Sequence, residues 1–294
     1  MILWQLLANG LVNGCLYAMM ALGFALIYNT SRIFHIAYGA TFTTAAYLCV
    51  FFLTELQLGL PLSVAMALLL SALLGVLIEV VVYSPLRRKN ASLLIALLSS
   101  LGLYIIIVNL ITVLFGNETR VMQSTFGATY EFGGIILTRV QVAQVICAAV
   151  LIPALLLSLR LSSLGMVIRA LRDNETLTRL MGENINFVRC VMFAVGSVLA
   201  GIGAILSGLD VGVTPHIGMP AVLIAAVALI VGGVGTFHGA VVGAFLLGTI
   251  QSLIVWQISA KWTDAITFAV LILFLLFRPQ GLLGTKRRLE EGAV

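Results

Sequence analysis

GMVIRALRDNETLTRLMGENINFVR, residues 165–189, is the stretch on which the reading of this chain turns. It is the longest polar segment in a sequence that otherwise divides into apolar pieces of membrane-spanning length. Of 294 residues, 61% are apolar and only 9% charged, against about 25% charged in an ordinary soluble domain. A spanning helix needs about 20 mostly apolar residues, and little sequence remains once such pieces are marked. The expected fold is therefore all-α: one polytopic integral membrane domain over residues 1–294, with the polar loop 160–189 projecting from it.

On the N-terminal side of that loop, residues 140–159 read as a span with Pro153 as an expected kink. The polar stretch 116–139 and a span over 91–115 precede it. Residues 83–90, YSPLRRKN, read as a compact basic turn, and Glu79 just before it as a snorkelling or ion-paired residue. Further spans cover 61–82, 36–52 and 3–28, the last carrying Gly10 and Gly14 at the GxxxG spacing that lets helices approach closely. No Lys or Arg precedes Arg32, so the first span is expected to be retained rather than cleaved as a signal.

On the C-terminal side, spans cover 187–209, 240–258 and 264–277. Between them lies an apolar run, 221–231, only about half a bilayer thick at about 1.5 Å per residue. The total is eight or nine crossings, and charge favours nine. With the 83–90 turn in the cytoplasm and alternating crossings, 13 of the 16 Lys and Arg fall inside, as cytoplasmic loops require. This places the N-terminus outside and the C-terminus inside. It also assigns the net charge of +5 to membrane topology rather than nucleic acid.

Catalytic chemistry finds little support. Cys15, Cys49, Cys147 and Cys190 are widely spaced and read as packing residues, and His35, His216 and His238 form no metal-ligand pattern. GGVGTFHG, residues 232–239, lacks the G-K-[ST] ending of a phosphate loop and reads as a tight turn, with Gly239 and Gly243 offering a second GxxxG face. Ion-coupled carriers place ionisable groups in the membrane core, and this chain has almost none. If ATP drives it, another polypeptide must bind the nucleotide.

The loop itself carries the signals of a short helix. Asp173 or Asn174 is a candidate N-cap, Glu175 lies in the first turn, Arg179 near the end and Gly182 just after it. Leu177, Leu180 and Met181 then form a small apolar face. Spacing alone leaves two fates open: docking to a partner, or packing on the membrane surface or the bundle.

Several motifs in order resemble one family. YSPLR at 83–87 is similar to E-x-x-x-Y-R-P-L-R when read with Glu79, and LIALLSSLGLYIIIVN at 94–109 to a fourth-helix pattern ending in asparagine. RALRDNETLTRLMGENINFVR is similar to a coupling loop, TPHIG at 214–218 to N-P-x-x-G, VGGVGTFHGAVVGAFLLG at 231–248 to G-G-x-G-x-x-x-G-A-x-x-G-G, and FRPQGLLG at 277–284 to P-x-G-L-x-G. Together they resemble the H-type membrane subunit of ATP-binding-cassette importers for branched-chain amino acids, a family that includes urea and amide permeases. Where that family has N-F-A-H-G-E, this sequence has His35, Ile36, Ala37, Tyr38, Gly39 and Ala40, keeping only the alanine and glycine. The substrate is thus left open among hydrophobic amino acids, urea, amides and carboxylates.

The resemblance implies an inner-membrane permease that binds no cofactor of its own. Its implied partners are membrane lipids, a second homologous permease subunit, two cytoplasmic ATPase subunits that bind ATP, and a periplasmic or lipid-anchored substrate-binding protein. Arg172, Glu175, Leu177, Arg179, Leu180, Met181 and Gly182 become candidates for coupling to the ATPase. His35, Tyr38, Asn109 and Thr214 become candidates for the substrate route, with no catalytic and no metal residues. The rival expectation is a self-sufficient channel or ion-coupled carrier for a small neutral solute.

Overall fold

A computed structural model describes residues 2–122, 129–132, 134–256 and 259–284. The elements run α1 (Ile2–Ser31), α2 (Tyr38–Thr54), α3 (Leu60–Ile78), a π-turn (Glu79–Tyr83), α4 (Ser84–Arg88), α5 (Leu93–Phe115), β1 (Thr129–Phe132), β2 (Ile135–Thr138), α6 (Arg139–Leu161), α7 (Ser163–Asp173), α8 (Glu175–Leu180), α9 (Ile185–Val211), α10 (Gly218–Gly232), α11 (Phe237–Val255), a short 3-10 turn (Ala260–Trp262) and α12 (Thr263–Phe277). Among the described residues, six helices are long and apolar enough to cross a membrane, with Leu60–Arg88 counted as one. Three shorter apolar helices, α2, α10 and α12, accompany them.

α1 is the axis of the bundle, and every residue from 18 to 27 is buried. Gly10 and Gly14 permit a close crossing: a Cβ at Gly10 would lie 2.9 Å from Thr249 Cα, and one at Gly248 would lie 2.5 Å from Gly14 N. The second GxxxG packs α11 on α10 in the same way, Gly243 meeting the Gly232 backbone. In membranes such small-residue crossings are held by packing, since lipid gives helices no hydrophobic reason to associate. α3, α5 and α6 stand at the periphery and present rows of exposed Leu, Ile and Val.

Four expectations are corrected. Residues 83–90 are not a free turn: the third helix continues through the π-turn and α4, and the chain reverses at Lys89 and Asn90, with Asn90 at φ +51. Pro85 stands just after the π-turn, where the ladder is widened and Ser84 N donates to Glu79 O five residues back. The 221–231 run begins at Gly218, which puts Pro220 in its first turn and makes 15 residues, about 22 Å. The polar loop holds two helices, α7 as well as α8. Within the 116–139 stretch, β1 and β2 form an antiparallel hairpin.

Two ends of the bundle are distinguishable. At one, the hairpin meets the start of α1, where Gln5 exchanges two hydrogen bonds with the Ile136 backbone (2.9 and 2.8 Å). The Arg120 and Val213 backbones also pair there (2.9 and 2.8 Å). At the other end lie α7, α8 and the 232–236 turn. The chain after α12 docks beside them, with Leu282 N and Leu283 N donating to Val231 O (2.8 Å) and Gly232 O (2.9 Å) at the C-terminus of α10.

The features that most shape the interior are two helix starts that do not reach either end. After α1, residues 32–37 run back into the bundle, and Tyr38 Oη donates to Met20 O (2.9 Å). Met20 lies 11 residues before Ser31, about 16 Å along α1 and so near the middle of a hydrocarbon core about 30 Å thick. At full extension six residues reach about 20 Å; here residues 32–35 are non-helical and 36–37 turn into α2. There the N-terminus of α2 meets that of α10: Gly39 and Gly218 touch backbone to backbone, and a Cβ on either would overlap the other's carbonyl.

Candidate coupling site and transport route

The helix expected in the loop is present and is built by local signals. Asn174 Oδ1 accepts from Leu177 N (3.0 Å) and so caps α8. Gly182 follows at φ +87, a left-handed conformation that glycine adopts without strain. Asn174 also ends α7, its N–H donating to Ala170 O (2.8 Å), so one residue makes the corner between two helices. α7 starts from the same chemistry, with Ser162 Oγ accepting from Gly165 N (3.1 Å). It lies on the bundle through Val167, Ile168 and Leu171, all buried.

α8, in contrast, turns its apolar face away from the protein: Leu177 is 58% exposed, Leu180 79% and Met181 81%. Packing back on the bundle, one of the fates open from spacing, is therefore not what these side chains do. Polar groups anchor the other side of the helix. Thr178 is buried and its hydroxyl donates to Asn174 O (2.8 Å). Glu175 accepts from Arg179 Nη2 at 3.1 Å and from Arg189 Nη2 at 2.8 Å.

Arg189 is the residue that binds this loop to the membrane domain. It is 3% exposed, an unusual state for a charge unless it is paired and hydrogen-bonded. Its second bond runs from Nε to Thr30 O (3.1 Å), one of the last carbonyls of α1, which an α-helix leaves without an internal partner. The guanidinium thus bridges the end of α1 to the first turn of α8. Arg172 makes a second tie, donating from Nη1 to Gly235 O (2.8 Å) and receiving Arg32 Nη2 at its own carbonyl (2.5 Å).

Between α8 and the α4–α5 turn lies a polar cavity of about 720 Å³. Arg87, Arg88, Arg179 and Arg189 line it with Glu175 and Glu183. Arg87 also pairs with Glu79, whose side chain is 2% exposed, which realises the ion-paired alternative for that carboxylate and not the snorkelling one. Among the described residues no cluster of His, Cys, Asp and Glu suited to a metal ion occurs.

The four route candidates are not gathered in one place. His35 is fully buried, with Nδ1 2.7 Å from Tyr83 Oη and its ring against Tyr38 and Phe193. Tyr38 is buried beneath it at the helix junction. Asn109 is exposed on the outer face of α5 and bonds back to Ile105 O (2.8 Å). Thr214 is half-buried in the segment leading to α10. Sequence reasoning passed over Tyr83, which the π-turn rotates inward, and it counted Arg189 only as a loop charge. An arginine four residues into an otherwise apolar helix start was the available signal.

Comparison with known proteins places this geometry. The family model described as branched-chain amino acid transport system / permease component matches residues 6–275. BraD of Pseudomonas aeruginosa, named as a high-affinity branched-chain amino acid transport system permease protein, is 30% identical over 294 residues and 95% of each chain. LivH of Escherichia coli K12, which bears the same description, is also 30% identical over 95% of each chain. Among solved structures, PsaBC from Streptococcus pneumoniae in complex with Fab superposes with a TM-score of 0.51 at 12% identity, covering 92% of this chain and 91% of that one, a likeness of fold. A multi-pass bundle, a polar loop held to it by buried arginine and a family match over nearly its whole length lead to one conclusion: the chain belongs to the branched-chain amino acid transport permease family.

Proposed function

We propose that the chain is the permease subunit of an ATP-driven importer for branched-chain or similarly hydrophobic amino acids, with the α7–α8 end in the cytoplasm and the hairpin end outside. Its partners in this reading are a second homologous permease, two cytoplasmic ATPase subunits and an external binding protein that delivers the substrate. The observation that carries it is α8: a capped helix whose Leu177, Leu180 and Met181 stand exposed while Glu175 is fixed through Arg189 to the end of α1. An apolar face held rigidly off the membrane bundle suits a groove on another protein. Motion of that partner on nucleotide binding then reaches the spans through Arg189 and Arg172.

The substrate comes from the relatives' names, and the helix junction at Gly39 and Gly218 offers the route a place to open, since two helices broken at mid-depth separate without unwinding a continuous span. The test is uptake of labelled leucine in proteoliposomes with and without the cognate ATPase subunits. Uptake that needs both ATP and those subunits is expected. Leucine flux through this chain alone would replace the reading with that of a channel or carrier.

A further inference from the structure

A second cavity, of about 320 Å³, opens near the hairpin end between α1, α9 and α10, at the small end of the range for small-molecule sites. Its lining is graded. Asn13, Asp210 and Pro220 are exposed at its mouth, Tyr17 and Ser207 are half-buried, and Met20, Phe42, Gln144 and Ile224 are buried at its floor. Asp210 is the only charged residue among those that line it. The floor reaches Met20, whose carbonyl receives Tyr38 Oη, so the cavity ends against the junction of the two helix starts.

We propose that this funnel is a binding site for the substrate itself, an aliphatic amino acid held with its ammonium against Asp210 and its side chain among Met20, Phe42 and Ile224. The inference rests on the reading of the chain as an amino acid permease and gives that reading a place on the molecule. One carboxylate without a basic neighbour in the lining selects for a positively charged group. Asn13, Tyr17 and Gln144 supply amide and hydroxyl donors for the substrate carboxylate, and the apolar floor accepts a branched side chain. The expected occupancy is weak: Asn13, Asp210, Val211 and Pro220 of the lining are exposed, and the ammonium competes for Asp210 with water and with the Thr138 hydroxyl, which donates to Oδ1 at 3.5 Å. A route site that bound tightly would retain its cargo.

The test uses the assembled transporter in proteoliposomes, with the four native cysteines of this chain replaced and Ser207→Cys as the reporter. The rate of modification by a small cationic thiosulfonate is followed with and without leucine, while ATP-driven leucine uptake is measured on the same vesicles. Leucine is expected to slow labelling, 4-methyl-2-oxopentanoate, which lacks the ammonium, is expected not to, and Asp210→Asn should raise the protecting leucine concentration about tenfold, as expected for one charge-assisted hydrogen bond. Asp210 is exposed and asparagine keeps its shape, so the variant folds; Ala221→Trp, which fills the funnel, is the second variant and should stop uptake. Uptake with no protection by leucine, or equal protection by the keto acid, overturns the site and leaves the permease reading standing. No ATP-driven leucine uptake by the parent transporter, before any substitution, overturns both.

Discussion

Glu175→Gln is the perturbation whose size the structure fixes best. The substitution keeps the shape of the side chain but leaves Arg189, 3% exposed, with an uncharged partner and the Thr30 carbonyl. Removing one member of a fully buried pair costs about 3–5 kcal/mol. Here the carboxylate is 43% exposed, so water reaches the same spot and offsets part of the loss; halving for that screening leaves about 2 kcal/mol. The companion is Glu175→Gln with Arg189→Met, which takes the buried charge away as well. What then remains unpaired is chiefly the Thr30 carbonyl, worth about 1 kcal/mol. The double variant is therefore expected to be more stable than Glu175→Gln alone, yet to lose coupling because the direct bridge from the first turn of α8 to the end of α1 is gone. Thermal unfolding of the detergent-purified protein measures the first effect, and ATP-dependent uptake the second. A double variant less stable than Glu175→Gln, or one that transports normally, would refute the assignment of Arg189 as the tie.

Leu180→Asp combined with Met181→Asp should leave the stability within about 0.5 kcal/mol of the parent, because both side chains are exposed, while co-purification of the ATPase subunits is lost; retained co-purification would count against α8 as the contact. Gly218→Ala places a methyl on the Gly39 carbonyl and 2.5 Å from Thr43 Oγ1 and should destabilise by about 1–3 kcal/mol, read by thermal unfolding. Glu79→Gln removes the partner of Arg87 from a site that is 1% exposed and should cost about 3 kcal/mol; unchanged stability would show that the pair is wet. Asn174→Ala removes the α8 cap and should cost about 1 kcal/mol, seen as faster backbone exchange in residues 175–180.

The elements readable in the sequence are those whose causes are local. Asn174 and Gly182 mark α8 from within nine residues, and the spans announce themselves by length and apolarity. Other local signals were present and passed over: Ser162 as the cap of α7, and Thr138 with Gln141, which form a capping box that opens α6. Contacts between distant residues leave no such mark. Gly39 and Gly218 are separated by 179 positions, and nothing near either says which backbone it will touch. Arg189 looks like any loop charge until Thr30 and Glu175 are seen on either side of it. The funnel around Asp210 draws on α1, α2, α6, α9 and α10, so no stretch of sequence contains it.

The α10 helix is gripped at both ends by backbone rather than by side chains. At one end Gly218 is wedged on Gly39, and at the other Val231 O and Gly232 O receive the chain after α12. A rod clamped in this way has little freedom to bend or to slide by itself; it transmits displacement along its length as a piston rod does. The clamp at the α7–α8 end is also tied through Gly235 to Arg172, two residues before the α8 cap, while Ala221 and Ile224, toward the other end, form part of the wall of the Asp210 cavity. A displacement of the loop would thus be felt at Ala221 and Ile224, about 12–16 Å along the rod from Gly232, with few soft joints between.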